Sequence, residues 1–268
     1  MSDRHSEFWV FVSGKGGVGK SVLALNTARA LFEQGKRVLL LDADLGLGNL
    51  HVLANVEPQG RLERVLACAD DLDEAITPLD FGPDLLAAEN GQSLCMLAGS
   101  RAAEELAETL GRLNSRYDYI LVDTPRGISD PGLHFCRACD RIVLVTSDEP
   151  TAITNSYAWY KTARLDGSPS PVWLVANGTS DVTLPDRFSE LCRRYQGHAP
   201  RWAGSIPYDA SVGQSVAMQR PLCECNPDSP AWEAIKYLSR MLQVNGTDDD
   251  NSDPLCPESG RSRSQWAG

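Results

Sequence analysis

The chain is 268 residues long, 42% hydrophobic, with 25 basic against 36 acidic side chains and a formal net charge of −11. That length and apolar fraction suit one large α/β domain, while the negative charge opposes broad attraction to nucleic-acid phosphates, so nonspecific DNA binding is not expected. No secretory leader and no apolar run of membrane-spanning length is visible, and the expected location is the cytoplasm.

The first apolar run, Phe8–Val12, predicts a strand. Directly after it stands Ser13-Gly14-Lys15-Gly16-Gly17-Val18-Gly19-Lys20-Ser21, followed by a helix-like stretch, Val22–Gln34. The segment fits the G-x-x-x-x-G-K-[ST] pattern in the strand–loop–helix context that the pattern requires. Glycine tolerates positive φ, so the amides of Gly14 through Gly19, Val18 included, can turn inward on phosphate oxygens; the following helix aims its unsatisfied N–H groups at the same anion. Lys20 would neutralise the β- and γ-phosphates and the Ser21 hydroxyl would ligate Mg²⁺, which implies ATP and magnesium as ligands.

Lys15 stands inside the glycine cradle, where a common phosphate loop needs no charge. With it, the segment reads K-G-G-x-G-K-S and resembles the MinD/ParA family of deviant Walker A ATPases. The resemblance implies a doubly wound α/β fold. It also implies that Lys15 reaches across an ATP-dependent homodimer to the partner's phosphates, and so belongs with Lys20 to the catalytic set.

The next predicted strand, Arg37–Asp42, runs into Asp42-Ala43-Asp44-Leu45-Gly46-Leu47-Gly48-Asn49-Leu50. Two carboxylates at a strand end beside a phosphate loop suit metal support and positioning of an attacking water. The family resemblance gives the water to Asp44 and the metal to Asp42. Further strands are expected at Asp84–Ala88, Tyr119–Asp123, Arg141–Thr146, Val172–Asn177 and Trp202–Ile206. Helices are expected at Ala102–Asn114, Pro131–Ala138, Ala152–Leu165, Leu184–Tyr195 and Ala210–Gln219. Near-continuous apolar runs such as Val38–Leu41 indicate burial on both faces, hence a mostly parallel sheet with helices on each side. Ligands of such sheets lie at the carboxyl ends of the strands.

Asp123 ends one of these strands in the Walker B manner and is expected to hold Mg²⁺ through water. In the flagellar-number regulators (FlhG/FleN type), the branch the chain resembles most, the expected continuation is D-T-G-A-G-I-S. Here Pro125 and Arg126 replace Gly-Ala, and Arg126 reads as a solvated or partner-facing residue. Asn177 offers an amide that can pair with both N6 and N7 of adenine. Ile206-Pro207-Tyr208-Asp209 resembles the family's adenine-flanking loop, which adds Pro207 and Asp209 to the nucleotide set. The same branch is suggested by D-A-D-L-G-L-G-N-L, by S-D-E-P-T-A-I-T-N-S-Y-A at 147–158, and by Q-R-P-L at 219–222.

That resemblance implies a dimeric ATPase switch governing the number or placement of a surface structure, flagella first, with a partner in flagellar assembly or its transcriptional control. Related regulators of cellulose synthesis, chemoreceptor arrays or pili are the alternatives of the same class. A different class is an iron–sulfur or metal carrier using Cys136 and Cys139, although a single CxxC pair between a predicted helix and a strand reads first as core thiols. The N-terminal segment with which those regulators stimulate a GTPase partner is not expected here. Trp232, Ile235, Leu238 and Leu242 form an apolar stripe with little positive charge beside it, which predicts a core-packing terminal helix rather than peripheral binding to the inner face of a membrane. The ATPase domain is expected over residues 1–244 and an acidic-polar disordered tail over 245–268.

Overall fold

A computed structural model describes residues 6–44, 48–66, 71–88, 109, 111–114 and 116–244. Eight strands form one sheet in the order β3-β4-β2-β5-β1-β6-β7-β8. They are β1 (Glu7–Val12), β2 (Val38–Asp42), β3 (Thr77–Pro78), β4 (Asp84–Leu86), β5 (Tyr119–Asp123), β6 (Arg141–Thr146), β7 (Val172–Asn177) and β8 (Arg201–Ile206). Every neighbouring pair is parallel except β3 with β4. The doubly wound α/β fold is thus present, with a short antiparallel edge that the sequence pattern does not announce.

Ten helices are delimited among the described residues, the last three after β8: α1 (Lys20–Glu33), α2 (Leu50–Leu53), α3 (Leu62–Leu66), α4 (Leu72–Ala75), α5 (Asp130–Ala138), α6 (Pro150–Leu165), α7 (Leu184–Gln196), α8 (Ala210–Met218), α9 (Leu222–Cys225) and α10 (Pro230–Met241). Of the helix expected at Ala102–Asn114, Thr109 and residues 111–114 fall among the described residues; Thr109 and residues 111–113 are helical and Asn114 is in a turn. The tail expected over 245–268, and Gly46 in the segment after β2, lie outside the described residues.

Strand alternation divides the core in two. Phe8, Val10 and Val12 of β1 face one apolar layer, shared with α5, α6 and α7, whereas Trp9 and Phe11 face the other, shared with α1 and α10. Because both layers are covered, Val38 to Leu41 are all buried, and burying such side chains contributes about 1.5–3 kcal/mol each. Strand β4 stops at Leu86, two residues short of the expected end. There Ala87 forms an isolated bridge with Arg61, whose guanidinium also donates to the Ala88 carbonyl at 3.0 Å.

The terminal stripe packs inward. Ser229 caps α10 by accepting from Trp232 N at 3.2 Å, Pro230 opens the helix, and Ala231, Trp232, Ile235 and Leu238 are buried in the layer that holds α1. No helix among the described residues is long and apolar enough to cross a membrane.

Candidate functional site

The glycine loop leaves the carboxyl end of β1 and closes at Gly19, whose φ of 85° puts it in the left-handed region just before α1 begins at Lys20. Gly17 adopts φ 82° in the same loop, so both positions need glycine on backbone grounds. Gly14 is required for another reason. A Cβ there would stand 2.5 Å from Ser156 N and closer still to the Asn155 carbonyl group, so the loop lies directly on the backbone of α6. A Cβ on Gly19 would collide with the Asn177 side-chain amide, whose Nδ2 donates to the Val18 carbonyl at 2.7 Å.

Each cation of the loop has a partner. Lys20 is buried and ion-paired with Asp123, itself buried at the end of β5. Lys15 is ion-paired with Glu149 and donates to Thr151 Oγ1 at 3.1 Å, so its ammonium rests against the start of α6. Ser21 follows Lys20 on the first turn of α1.

At the end of β2, Asp42 is fully buried and accepts from the backbone N–H groups of Asp44 and Leu50, each at 3.1 Å. Gly48 lies directly against it, since a Cβ there would come within 2.8 Å of Asp42 Oδ2. Burial, reinforced by the charge of nearby Asp123, pushes the Asp42 carboxyl up to about 7; the two amide donors and Lys20 oppose that rise. Asp44 is only partly buried beside it. Strand register places Asp42 directly opposite Asp123, so the ends of β2 and β5 and the loop lysine converge.

The segment after β5 is fastened to the phosphate loop. Thr124 Oγ1 donates to the Phe11 carbonyl at 2.9 Å, and Gly127 N donates to the Ser13 carbonyl at 2.9 Å. Ser129 then caps α5, accepting from Gly132 N at 3.3 Å.

Asn177 and Pro207 are brought together because Gly178 N and Thr179 N both donate to the Ile206 carbonyl, at 2.8 and 3.1 Å. Asp209 has a different setting from its neighbours. Its carboxylate caps α8 through Ser211 N at 2.8 Å, accepts from the Ser211 hydroxyl, and accepts from Ser229 Oγ at 2.5 Å. These donors hold it down to about 2, and it fastens the start of α8 to the start of α10.

Cys136 and Cys139 are buried thiols in the α5 side of the core. Burial raises both, Cys139 to about 12, which disfavours the thiolate that a metal would need. No group of three or more His, Cys, Asp or Glu that could hold a metal occurs among the described residues. Residue pattern alone misses Glu149, Thr151 and Asn155, whose contacts with the loop cross more than a hundred positions. Their only trace in the sequence is their place in the 147–158 segment.

A family profile described as "ParA: NUBPL iron-transfer P-loop NTPase" matches residues 5–161. The chain belongs to the ParA family of P-loop NTPases. Among its relatives, the antiactivator FleN of Pseudomonas aeruginosa is 34% identical over 234 residues, covering 85% of this chain and 83% of that protein. The flagellum site-determining protein YlxH of Helicobacter pylori is 36% identical over 244 residues, covering 89% and 82%. Among solved structures, the septum site-determining protein MinD of Pyrococcus horikoshii, complexed with Mg-ADP, superposes with a TM-score of 0.76 at 23% identity. That superposition covers 89% of this chain and 96% of the other. This ParA-family member therefore shares the MinD fold.

Proposed function

We propose that this ParA-family ATPase is a nucleotide-driven dimeric switch that controls the number or placement of flagella. The observation that carries the chemistry is the convergence of the glycine cradle, the buried Lys20–Asp123 pair and Asp42 at one sheet edge. The flagellar role is supported by the likeness to FleN and YlxH over most of the chain.

The site suits Mg-ATP. The cradle at Gly14 and Gly19 has no room for a side chain, and its amides would face the phosphates. Asp42 and Asp123 are hard oxygen donors that, with the Ser21 hydroxyl, suit a magnesium ion completed by water and phosphate oxygens. When bound, magnesium would neutralise charge between the β- and γ-phosphates. Lys20 exchanges Asp123 for the phosphate chain. Asp44 orients a water whose oxygen attacks the γ-phosphorus; the bond to the bridging oxygen breaks and ADP leaves with its electron pair, yielding ADP and inorganic phosphate. Lys15 leaves Glu149 and Thr151 to reach the nucleotide of a second copy of the chain, so hydrolysis and release of the dimer are coupled. Asn177 and Pro207 flank the base.

Deletion of the gene in its own organism should change flagellar number or position, and an Asp44→Ala allele, arrested with ATP bound, should act dominantly in the opposite sense. Normal flagellation in both strains would reject the flagellar reading and leave the ATPase reading standing.

A further inference from the structure

We propose that Arg126 recognises the terminal phosphate of the nucleoside triphosphate bound in its own chain, and so sets the preference for ATP over ADP. The proposal rests on the reading of the glycine loop as an ATP site, and deepens it.

Three features converge on this residue. First, the segment is anchored at both ends: Asp123 is ion-paired with Lys20, and Gly127 N is bonded to the Ser13 carbonyl at 2.9 Å. Residues 124–126 therefore run between Lys20 at one end of the cradle and Ser13 at the other, and the phosphate-loop pattern gives that lysine the β- and γ-phosphates. Second, the Arg126 side chain lies on the loop tip. Its Cδ is 2.8 Å, and its guanidinium nitrogens NH1 and Nε are 3.4 and 3.6 Å, from where a Cβ on residue 16 would stand. Gly16 leaves the space that this arginine fills.

Third, charge is distributed unevenly around the loop. Lys15 and Lys20 are held by Glu149 and Asp123, whereas exposed Arg126 makes no ion pair with another described residue. A guanidinium offers phosphate oxygens two parallel donors, which an ammonium cannot, and it carries its charge at every relevant pH. Pro125 restricts the backbone just before it, which limits where the fork can travel. A phosphate at the outer end of the chain would meet this fork; a diphosphate would end short of it.

The test is equilibrium binding of fluorescently labelled ADP and of a slowly hydrolysed, labelled ATP analogue, both with magnesium. The proteins are wild type, Arg126→Met and Arg126→Lys. Methionine keeps an apolar stem over Gly16 and removes the charge, while lysine restores the charge without the fork. The expected result for Arg126→Met is a loss of roughly tenfold in affinity for the ATP analogue and under about twofold for ADP, with partial recovery in Arg126→Lys. Equal losses for both nucleotides would mean that the side chain serves only to pack the loop, and would overturn the proposal. Unchanged affinity for the ATP analogue would overturn it as well. A loss seen only at protein concentrations where dimers form would assign the guanidinium to the partner's nucleotide and overturn the assignment to its own chain. Wild-type protein that bound neither nucleotide would instead overturn the ATP-site reading from which the proposal starts.

Discussion

Gly14 and Gly16 lie two positions apart in one loop, yet the structure predicts opposite outcomes for the same added methyl group. In Gly14→Ala the new Cβ would stand 2.5 Å from Ser156 N, against backbone on the first turns of α6. Ordinary contact begins near 3.4 Å and the Asn155 carbonyl group is closer still, so the loop and helix must separate by more than about 0.9 Å, and neither side is a flexible side chain. Overpacking of this kind costs about 1–3 kcal/mol, or a Tm lowered by roughly 3–10 °C for a domain of this size. The same displacement moves the amides proposed to face phosphate, so nucleotide affinity should fall with stability. In Gly16→Ala the first atom met is Arg126 Cδ at 2.8 Å, on an exposed side chain free to turn aside. Its Tm should stay within about 2 °C of wild type, because surface substitutions usually lie within about 0.5 kcal/mol. Differential scanning calorimetry of the two variants decides the matter. Equal Tm values would refute the claim that the loop is braced by α6.

Three further outcomes follow from the same geometry. The fold prefers Asp42 protonated, because its carboxyl is pushed up to about 7; without nucleotide and magnesium, its contribution to stability is fully present below about pH 4 and is lost as pH rises to 7. The gap corresponds to at most about 4 kcal/mol, and urea titrations of Asp42→Asn against wild type should show the variant losing that part of the pH slope while ATP turnover drops. Asp209→Ala removes a helix cap and the link to Ser229, and should lower stability by about 1–2 kcal/mol in urea titration while leaving the Lys20–Asp123 pair in place. Arg141, buried between the rings of Trp9 and Trp173 and donating to the Val244 carbonyl at 3.0 Å, should cost about 2–3 kcal/mol on change to Leu; proteolysis near Val244 would report the loosened attachment.

The sheet was legible because its strands are short continuous apolar runs at the positions where β1, β2, β5, β6 and β7 form, and because the phosphate loop declares its own strand and helix. The Thr77–Pro78 edge strand was not legible: two residues including a proline carry no periodicity, and only pairing with β4 makes them a strand. Asp42, Asp44 and Asp123 could be picked out because each lies at or beside the end of an apolar strand. Glu149 and Thr151 could not, since their link to Lys15 exists only after β6 is laid beside β1. The motif likeness did not reveal the structural use of the Asp209 carboxylate, whose hydroxyl and amide donors tie two helices together.

ATP is proposed to join two copies of this chain through Lys15. Size-exclusion chromatography with light scattering, on wild type and Lys15→Ala with magnesium and a slowly hydrolysed ATP analogue, tests it most directly. The account predicts that wild type shifts from its monomer mass of 29.2 kDa to twice that value, while Lys15→Ala binds the analogue and stays a monomer. A wild-type protein that remains monomeric when saturated with the analogue, or a Lys15→Ala protein that dimerises to the same extent, would contradict it.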